Sequence, residues 1–177
     1  MMQVNPETHP ALAGCVDAGR RCQQLARLLD STQFSKSLEG HDSIGSHMRH
    51  CLDYFGCLIR GLELGEIDYD ARERDPRTAA DPETFMQRMG AAVDALILKA
   101  TTLVSKRLKL TQTVTESGAV LTVETTLDRE LVFLSGHCVH HLAIASLLAK
   151  MMGVEVSPDI GMGYSTAVHR RAAAPRD

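Results

Sequence analysis

The sequence contains no tryptophan and few other aromatic residues, with four phenylalanines and three tyrosines in 177 positions. The core must therefore be aliphatic, built from leucine, alanine, valine and isoleucine, with methionine filling gaps. A strong charge of either sign is also absent, since the formal net charge is -3. The basic surface of nucleic-acid-binding proteins is therefore missing, and we expect no nucleic-acid partner.

Signals for export or a membrane are also lacking. Residues 1–7 have neither a basic region nor an apolar run, so we expect no signal peptide. We find no apolar stretch that approaches the roughly 18 residues of a membrane span, so we expect no membrane partner. The five cysteines form no CxxC pair and are odd in number. They are typical of free, buried thiols in a cytoplasmic protein, with Cys138 the exception to watch because it follows His137.

The length suits a single domain covering 1–177, with its core at about 10–153. Apolar residues recur at helical spacing in four segments, at about 10–30, 43–64, 81–103 and 125–152. We expect Asp42 or Ser43 to cap the second helix and Asp81 the third, while Thr125 and Asp128 resemble a capping box for the fourth. The segment 30–42 is predicted to be a connection and the tail from 154 to be irregular.

A change of period separates the third and fourth helices. Apolar and polar residues alternate on both sides of Glu116-Ser117-Gly118, which predicts a short β-hairpin near 107–114 and 119–125. The sequence thus predicts an all-α fold, a four-helix bundle with a long crossover after helix 2 and this hairpin before helix 4.

Five of the eight histidines fall in two of the predicted helices. His137 and His141 lie four residues apart and therefore one turn apart on one face, where two imidazoles can reach one metal ion. The glutamate of the zinc-protease HExxH motif is missing, because Cys138 follows His137. We expect a metal site without the metalloprotease mechanism.

The second cluster, His47 and His50, lies in the second helix, which can face the fourth in a bundle. One of these histidines could then join His137 and His141. Three imidazoles with an open fourth position form the catalytic pattern for zinc, and nickel, copper or iron also accept imidazole ligands. We expect His140 nearer the helix edge, and the competing interpretation is a structural bundle whose core histidines are simply hydrogen-bonded.

The charged segment 66–80 allows two interpretations. It is either a solvated surface crossover or a loop that offers Arg72 or Arg74 to an anionic ligand, since a guanidinium matches carboxylate and phosphate geometry.

Three motifs together resemble the DinB/YfiT-like superfamily, bacterial proteins regarded as metalloenzymes and unrelated to the DNA polymerase of that name. The motifs are the runs at 43–54 and 68–75, and Glu130-Leu131 followed by the histidines from His137 to His141. The resemblance covers about 10–165. It implies a four-helix bundle with a divalent metal held by His50, His137 and His141, and His47 stays open as the alternative ligand from the second helix.

The resemblance also implies activities and partners. Better-known relatives are transferases that use low-molecular-weight thiols, and many are homodimers. We therefore expect a divalent-metal-dependent enzyme, zinc first, with nickel or iron as alternatives, acting as a thiol-dependent transferase or a hydrolase on a small-molecule substrate. Asp53, Tyr54 or Glu130 could orient the ligands from outside the coordination sphere. The sequence names no catalytic residue, and the rival hypothesis is a non-catalytic stress-response metal-binding protein.

Overall fold

The computed structural model describes residues 9–100 and 106–173 and is mostly helical. Within these residues it contains seven α-helices and three β-strands. The helices are α1 (Pro10–Arg27), α2 (Ser31–Ser35), α3 (Ile44–Leu64), α4 (Pro76–Ala80), α5 (Pro82–Ala100), α6 (Leu127–Met151) and α7 (Tyr164–Ala173), and the strands are β1 (Glu66–Asp68), β2 (Arg107–Thr113) and β3 (Val120–Thr126).

The four long helices α1, α3, α5 and α6 form the bundle. Both α1 and α3 pack against α5 and α6, so α1 and α3 occupy diagonal positions around the shared core. The core is mainly aliphatic, as the composition predicts, with Phe34, Phe55 and Phe85 as its buried phenylalanines. The second predicted helix corresponds to α3 and the fourth to α6. These two helices pack against each other, as the sequence analysis expected.

Polar caps fix the ends of the long helices. The Ser43 hydroxyl accepts a hydrogen bond from the amide of Ser46 at the start of α3, and Gly65 ends that helix in the left-handed region at φ 78°. The fourth long helix starts one residue later than predicted. Thr126 rather than Thr125 caps α6, because the Thr125 hydroxyl donates instead to the Glu130 carboxylate at 2.6 Å.

A three-stranded sheet, in the order β1-β2-β3, packs against α3 and α6. Strands β2 and β3 pair antiparallel, with Arg107 opposite Thr126 and Thr113 opposite Val120. Strand β1, which the sequence analysis did not predict, pairs parallel with β2. It lies in the charged segment 66–80, where Ile67 and Tyr69 are fully buried between acidic neighbours. This part of the segment is therefore core structure.

Two further helices correct the predicted connections. Asp30 and Gln33 form a capping box that starts α2 in the segment predicted to be a connection. In the tail predicted to be irregular, α7 is held by tertiary contacts: the Tyr164 hydroxyl donates to the Gly14 carbonyl at 2.9 Å, and Arg21 donates to the carbonyls of Asp159 and Met162. The predictions for residues 1–8, 101–103 and 174–177, including the end of the third predicted helix at 103, fall outside the described residues.

The expectation that no apolar stretch approaches the length of a membrane span is wrong for α6. Residues 131–149 contain no Asp, Glu, Lys or Arg, and α6 is long and apolar enough to cross a membrane by length and composition alone. Its buried residues, among them Leu131, Leu134 and Leu142, pack against α1 and α3. Burial in the bundle core accounts for these residues, whereas Val132, Leu147 and Met151 of the same helix are exposed.

The first testable prediction concerns Gly45, where α3 passes close to α4. A Cβ at this position would overlap the carbonyl oxygen of Ala79 and lie 2.8 Å from its carbonyl carbon. We expect Gly45→Ala to lower the free energy of unfolding by about 1–3 kcal/mol or more, because the backbone must move. Gly136→Ala is the matched control, since a Cβ there meets nothing within 4 Å. It should raise stability by up to about 1 kcal/mol. Equal urea midpoints for the two variants would contradict the close approach.

Candidate metal centre

Helices α3 and α6 bring three histidines to one point. His50 lies on α3, His137 and His141 lie one turn apart on α6, and all three side chains are partly buried. One ring nitrogen from each lies within 4.8 Å of the other two. Within residues 9–100 and 106–173, no other set of His, Cys, Asp and Glu side chains meets this geometry. The group is the one predicted from the resemblance.

The distances suit a small divalent ion after minor side-chain rotation. The Nε2 atoms of His50 and His137 are 3.0 Å apart. A tetrahedral zinc ion with Zn–N bonds of about 2.0–2.1 Å sets its ligand nitrogens about 3.3 Å apart. The observed separations, 3.0 Å for this pair and at most 4.8 Å for the group, lie on both sides of that value. The three residues therefore fit a zinc ion.

His47 contacts the group without belonging to it. Its Nδ1 lies 3.0 Å from Nδ1 of His141, so one ring donates a hydrogen bond to the other. This contact occupies Nδ1 of His141 and leaves Nε2 as the ring nitrogen available to an ion. A hydrogen bond to the far nitrogen is the usual device that orients a metal-binding histidine. His140 is exposed beside His141, as expected for the helix edge.

Burial keeps these imidazoles neutral at neutral pH. Loss of solvation lowers the pKa of His50 to about 4, helped by the nearby charges of His137 and Arg72. Burial likewise lowers the pKa of His137 to about 4 and that of His141 to about 3, and it also lowers the pKa of His47. Neutral rings have a free lone pair, which metal binding requires.

Aromatic rings fix the orientation of His137. Tyr54 stacks on it with ring centroids 4.2 Å apart, and Phe133 lies on the same helix at 5.6 Å. Tyr54 in turn stacks on Tyr69 at 4.7 Å. The Tyr69 hydroxyl donates to Glu130 at 2.9 Å, and both residues are fully buried. The stack thus runs from the buried carboxylate of Glu130 to the metal-binding face of α6.

The two carboxylates predicted to assist the ligands lie in different surroundings. Glu130 is linked to His137 through the tyrosine stack, and it also accepts from Arg129, whose guanidinium lies over the Phe133 ring. Asp53 pairs with Arg49 at 3.8 Å and lines a cavity of about 160 Å³ together with Arg60 and Arg88. Burial raises the pKa of Asp53. A supporting role for either residue stays a prediction.

Arg72 connects the 66–80 segment to the histidines. Its Nη1 lies 3.1 Å from Nδ1 of His50, and its guanidinium carbon is 5.7 Å from the centroid of the Tyr54 ring. Arg74 is exposed. Of the two arginines that the sequence analysis offered for an anionic ligand, Arg72 is thus the one at the site.

The cysteines lie on the core side of the same helices. All five are free and buried. Cys138, singled out because it neighbours His137, shares side-chain hydrogen bonds with Cys22 of α1 and Cys51 of α3. Burial raises the pKa of Cys15 to about 12, and its thiol donates to the Leu131 carbonyl. The thiols therefore behave as the small core residues that were predicted.

Two aromatic residues of the site were missed in the sequence. Phe133 lies four residues before His137, so the i, i+4 spacing places both rings on one face. Tyr69 lies two residues after Ile67, a short period-2 signal inside a charged run. Both signals were present but short.

Comparison with known proteins identifies a shared fold. No protein-family model and no curated protein sequence matches the chain. Among solved structures, YfiT from Bacillus subtilis is similar over 88% of this chain and 93% of its own, with a TM-score of 0.64 and 15% sequence identity. That protein is described as a probable metal-dependent hydrolase with an unusual four-helix bundle topology. The resemblance predicted from the sequence is thus confirmed at the level of fold.

The lowered histidine pKa values predict how stability depends on pH in the metal-free protein. Unfolded histidines take up protons below about pH 6.5, whereas the folded ones do so only near the pKa values of about 4, 4 and 3. The unfolded chain therefore binds more protons between these limits, and stability falls as the pH drops from about 6.5 to 4.

Urea unfolding of EDTA-treated protein at several pH values measures this loss. A triple variant with glutamine at positions 50, 137 and 141 removes the three titrating rings and serves as the comparison. Its stability should fall less over the same range, and an equal fall in both proteins would show that the three pKa values are not lowered.

Proposed function

We propose that this protein binds one divalent metal ion, zinc before nickel or iron, through His50, His137 and His141, and that it is a metal-dependent hydrolase. The observation that carries the proposal is the convergence of three neutral imidazoles within 4.8 Å at the contact of α3 and α6. Three protein ligands with an open position are typical of catalytic zinc, whereas structural zinc sites have four. A zinc ion held there would lower the pKa of a bound water to about 7 and so would supply a nucleophile at neutral pH.

Residues of this chain would prepare the site. The contact of His47 with Nδ1 of His141 directs Nε2 of His141 towards the ion. The rings of Tyr54 and Phe133 prevent His137 from rotating away. Partial burial limits the water around the three ligands. These contacts hold the histidine side chains in the orientation for metal binding before an ion arrives, and a reactive metal site needs such preorganised ligands.

The shared fold adds support of a more general kind. YfiT, described as a probable metal-dependent hydrolase, has the same fold. A fold hosts many reactions, so the reaction of this chain is argued from its own histidines. A cytoplasmic location and a homodimer remain part of the proposal, the first because the five cysteines are free.

Metal analysis of protein purified without a histidine tag is the direct test of the site. We expect close to one zinc, nickel or iron ion per chain in the wild type. His137→Ala should lower metal affinity by at least about tenfold, because loss of a ligand costs no less than loss of a supporting contact. His140→Ala is the matched control, since His140 is an exposed neighbour on the same helix, and it should retain the ion. A metal-free wild type, or full retention in His137→Ala, would refute the site.

An activity panel tests the reaction. The metal-loaded protein should hydrolyse one or more of a set of carboxylic esters, phosphate esters and amides. EDTA should abolish this activity, and the added metal should restore it. Turnover that requires a low-molecular-weight thiol would identify a transferase instead. Stoichiometric metal with no turnover on any substrate would favour the non-catalytic stress-response metal-binding protein.

A further inference from the structure

Arg72 is a cation without a carboxylate partner at the edge of the candidate site. Its Nε is buried and has no hydrogen-bond partner, and its Nη1 contacts the ring nitrogen of His50. Every other arginine in the described parts of the chain pairs with a carboxylate, donates to a backbone carbonyl or lies exposed. The carboxylates of Asp53 and Asp70 interact with this charge electrostatically, but neither forms an ion pair with Arg72. The buried Nε–H therefore remains without an acceptor, which costs free energy unless a ligand supplies one.

The contact with His50 is incompatible with the ring form that a metal requires. Nε2 of His50 faces His137, so an ion in the group is bound through Nε2. The proton of the neutral ring then resides on Nδ1, the atom 3.1 Å from Arg72. Nδ1–H and the guanidinium are both donors, and two donors cannot share a hydrogen bond. A loaded site therefore removes the His50 acceptor from Nη1 of Arg72.

The remaining surroundings of Arg72 hold the guanidinium next to the site. Tyr54, which stacks on His137, lies under the guanidinium carbon at 5.7 Å. Arg72 also lies only three residues from Tyr69, whose ring is buried and hydrogen-bonded to Glu130. The segment is therefore anchored close to the arginine.

We propose that Arg72 binds the anionic group of the substrate, a carboxylate or a phosphate, beside the metal ion. The inference rests on the proposed function, because it assigns the substrate class of the same site. A guanidinium matches two oxygens of either group with two parallel hydrogen bonds. The substrate class is accordingly a small molecule with a carboxylate or phosphate near the bond that reacts.

Calorimetric titration of protein carrying one equivalent of zinc tests the proposal. The probes are inorganic phosphate and acetate, which separate the two anion classes. At least one of them should bind the wild type, and Arg72→Gln should weaken that binding by about tenfold or more, as expected for a lost charge-assisted hydrogen bond. Arg74→Gln removes the same charge from an exposed neighbour in the same segment and should change the affinity by less than about twofold.

Zinc affinity supplies the second readout. Arg72→Gln removes a positive charge and a competing donor from His50, so it should bind zinc as tightly as the wild type or more tightly. Weaker zinc binding together with weaker anion binding would mean that Arg72 is only structural, which overturns the proposal. Unchanged anion affinity in Arg72→Gln, or no binding of either anion to the zinc-loaded wild type, also overturns it.

Two further results distinguish a failure of the Arg72 inference from a failure of the proposed function. If Arg72→Gln does not fold, Arg72→Lys replaces it, and the loss of the planar fork should still weaken anion binding. Normal zinc stoichiometry with anion binding that does not depend on Arg72 refutes only this inference, whereas a wild type that takes up no metal refutes the proposed function.

Discussion

The contact between α3 and α6 is the constraint on which the site depends. It brings His50 against His137 and His47 against His141, each pair through ring nitrogens 3.0 Å apart. Helix α6 is apolar over most of its length and is held between α1 and α3. The imidazoles therefore lie where burial keeps them neutral. The same contact that stabilises the bundle thus prepares the lone pairs that a metal ion needs.

On both α3 and α6, neighbouring histidine and cysteine side chains point in different directions. His50 and Cys51 are neighbours on α3, and His137 and Cys138 are neighbours on α6. Successive residues point about 100° apart around a helix, so the imidazoles reach the partly buried site while the thiols turn into the core. There Cys51 and Cys138 meet Cys22 of α1. The thiols join three helices behind the site and stay away from the metal-binding face.

The long helices and the histidine clusters were predictable because their signals are local. Apolar spacing gave α1, α3, α5 and α6, and the i, i+4 spacing put His137 and His141 on one face. His47 and His50 differ by only about 60° around α3, so sequence left both open, and tertiary packing decides which one joins the group. The same holds for the parallel pairing of β1 with β2, whose partners Glu66 and Lys109 lie far apart in the chain. The contact of Arg72 with His50 likewise depends on that anchored segment.

The tyrosine stack has a spectroscopic consequence. The chain has no tryptophan, so its three tyrosines dominate its absorption and emission in the near ultraviolet. Two of them, Tyr54 and Tyr69, are stacked on each other, and Tyr54 also lies against His137. The third, Tyr164, is on α7 and hydrogen-bonded to α1. Two of the three rings that absorb in the near ultraviolet therefore lie beside the histidine group, and the near-ultraviolet circular dichroism of the unlabelled protein reports on the surroundings of that group.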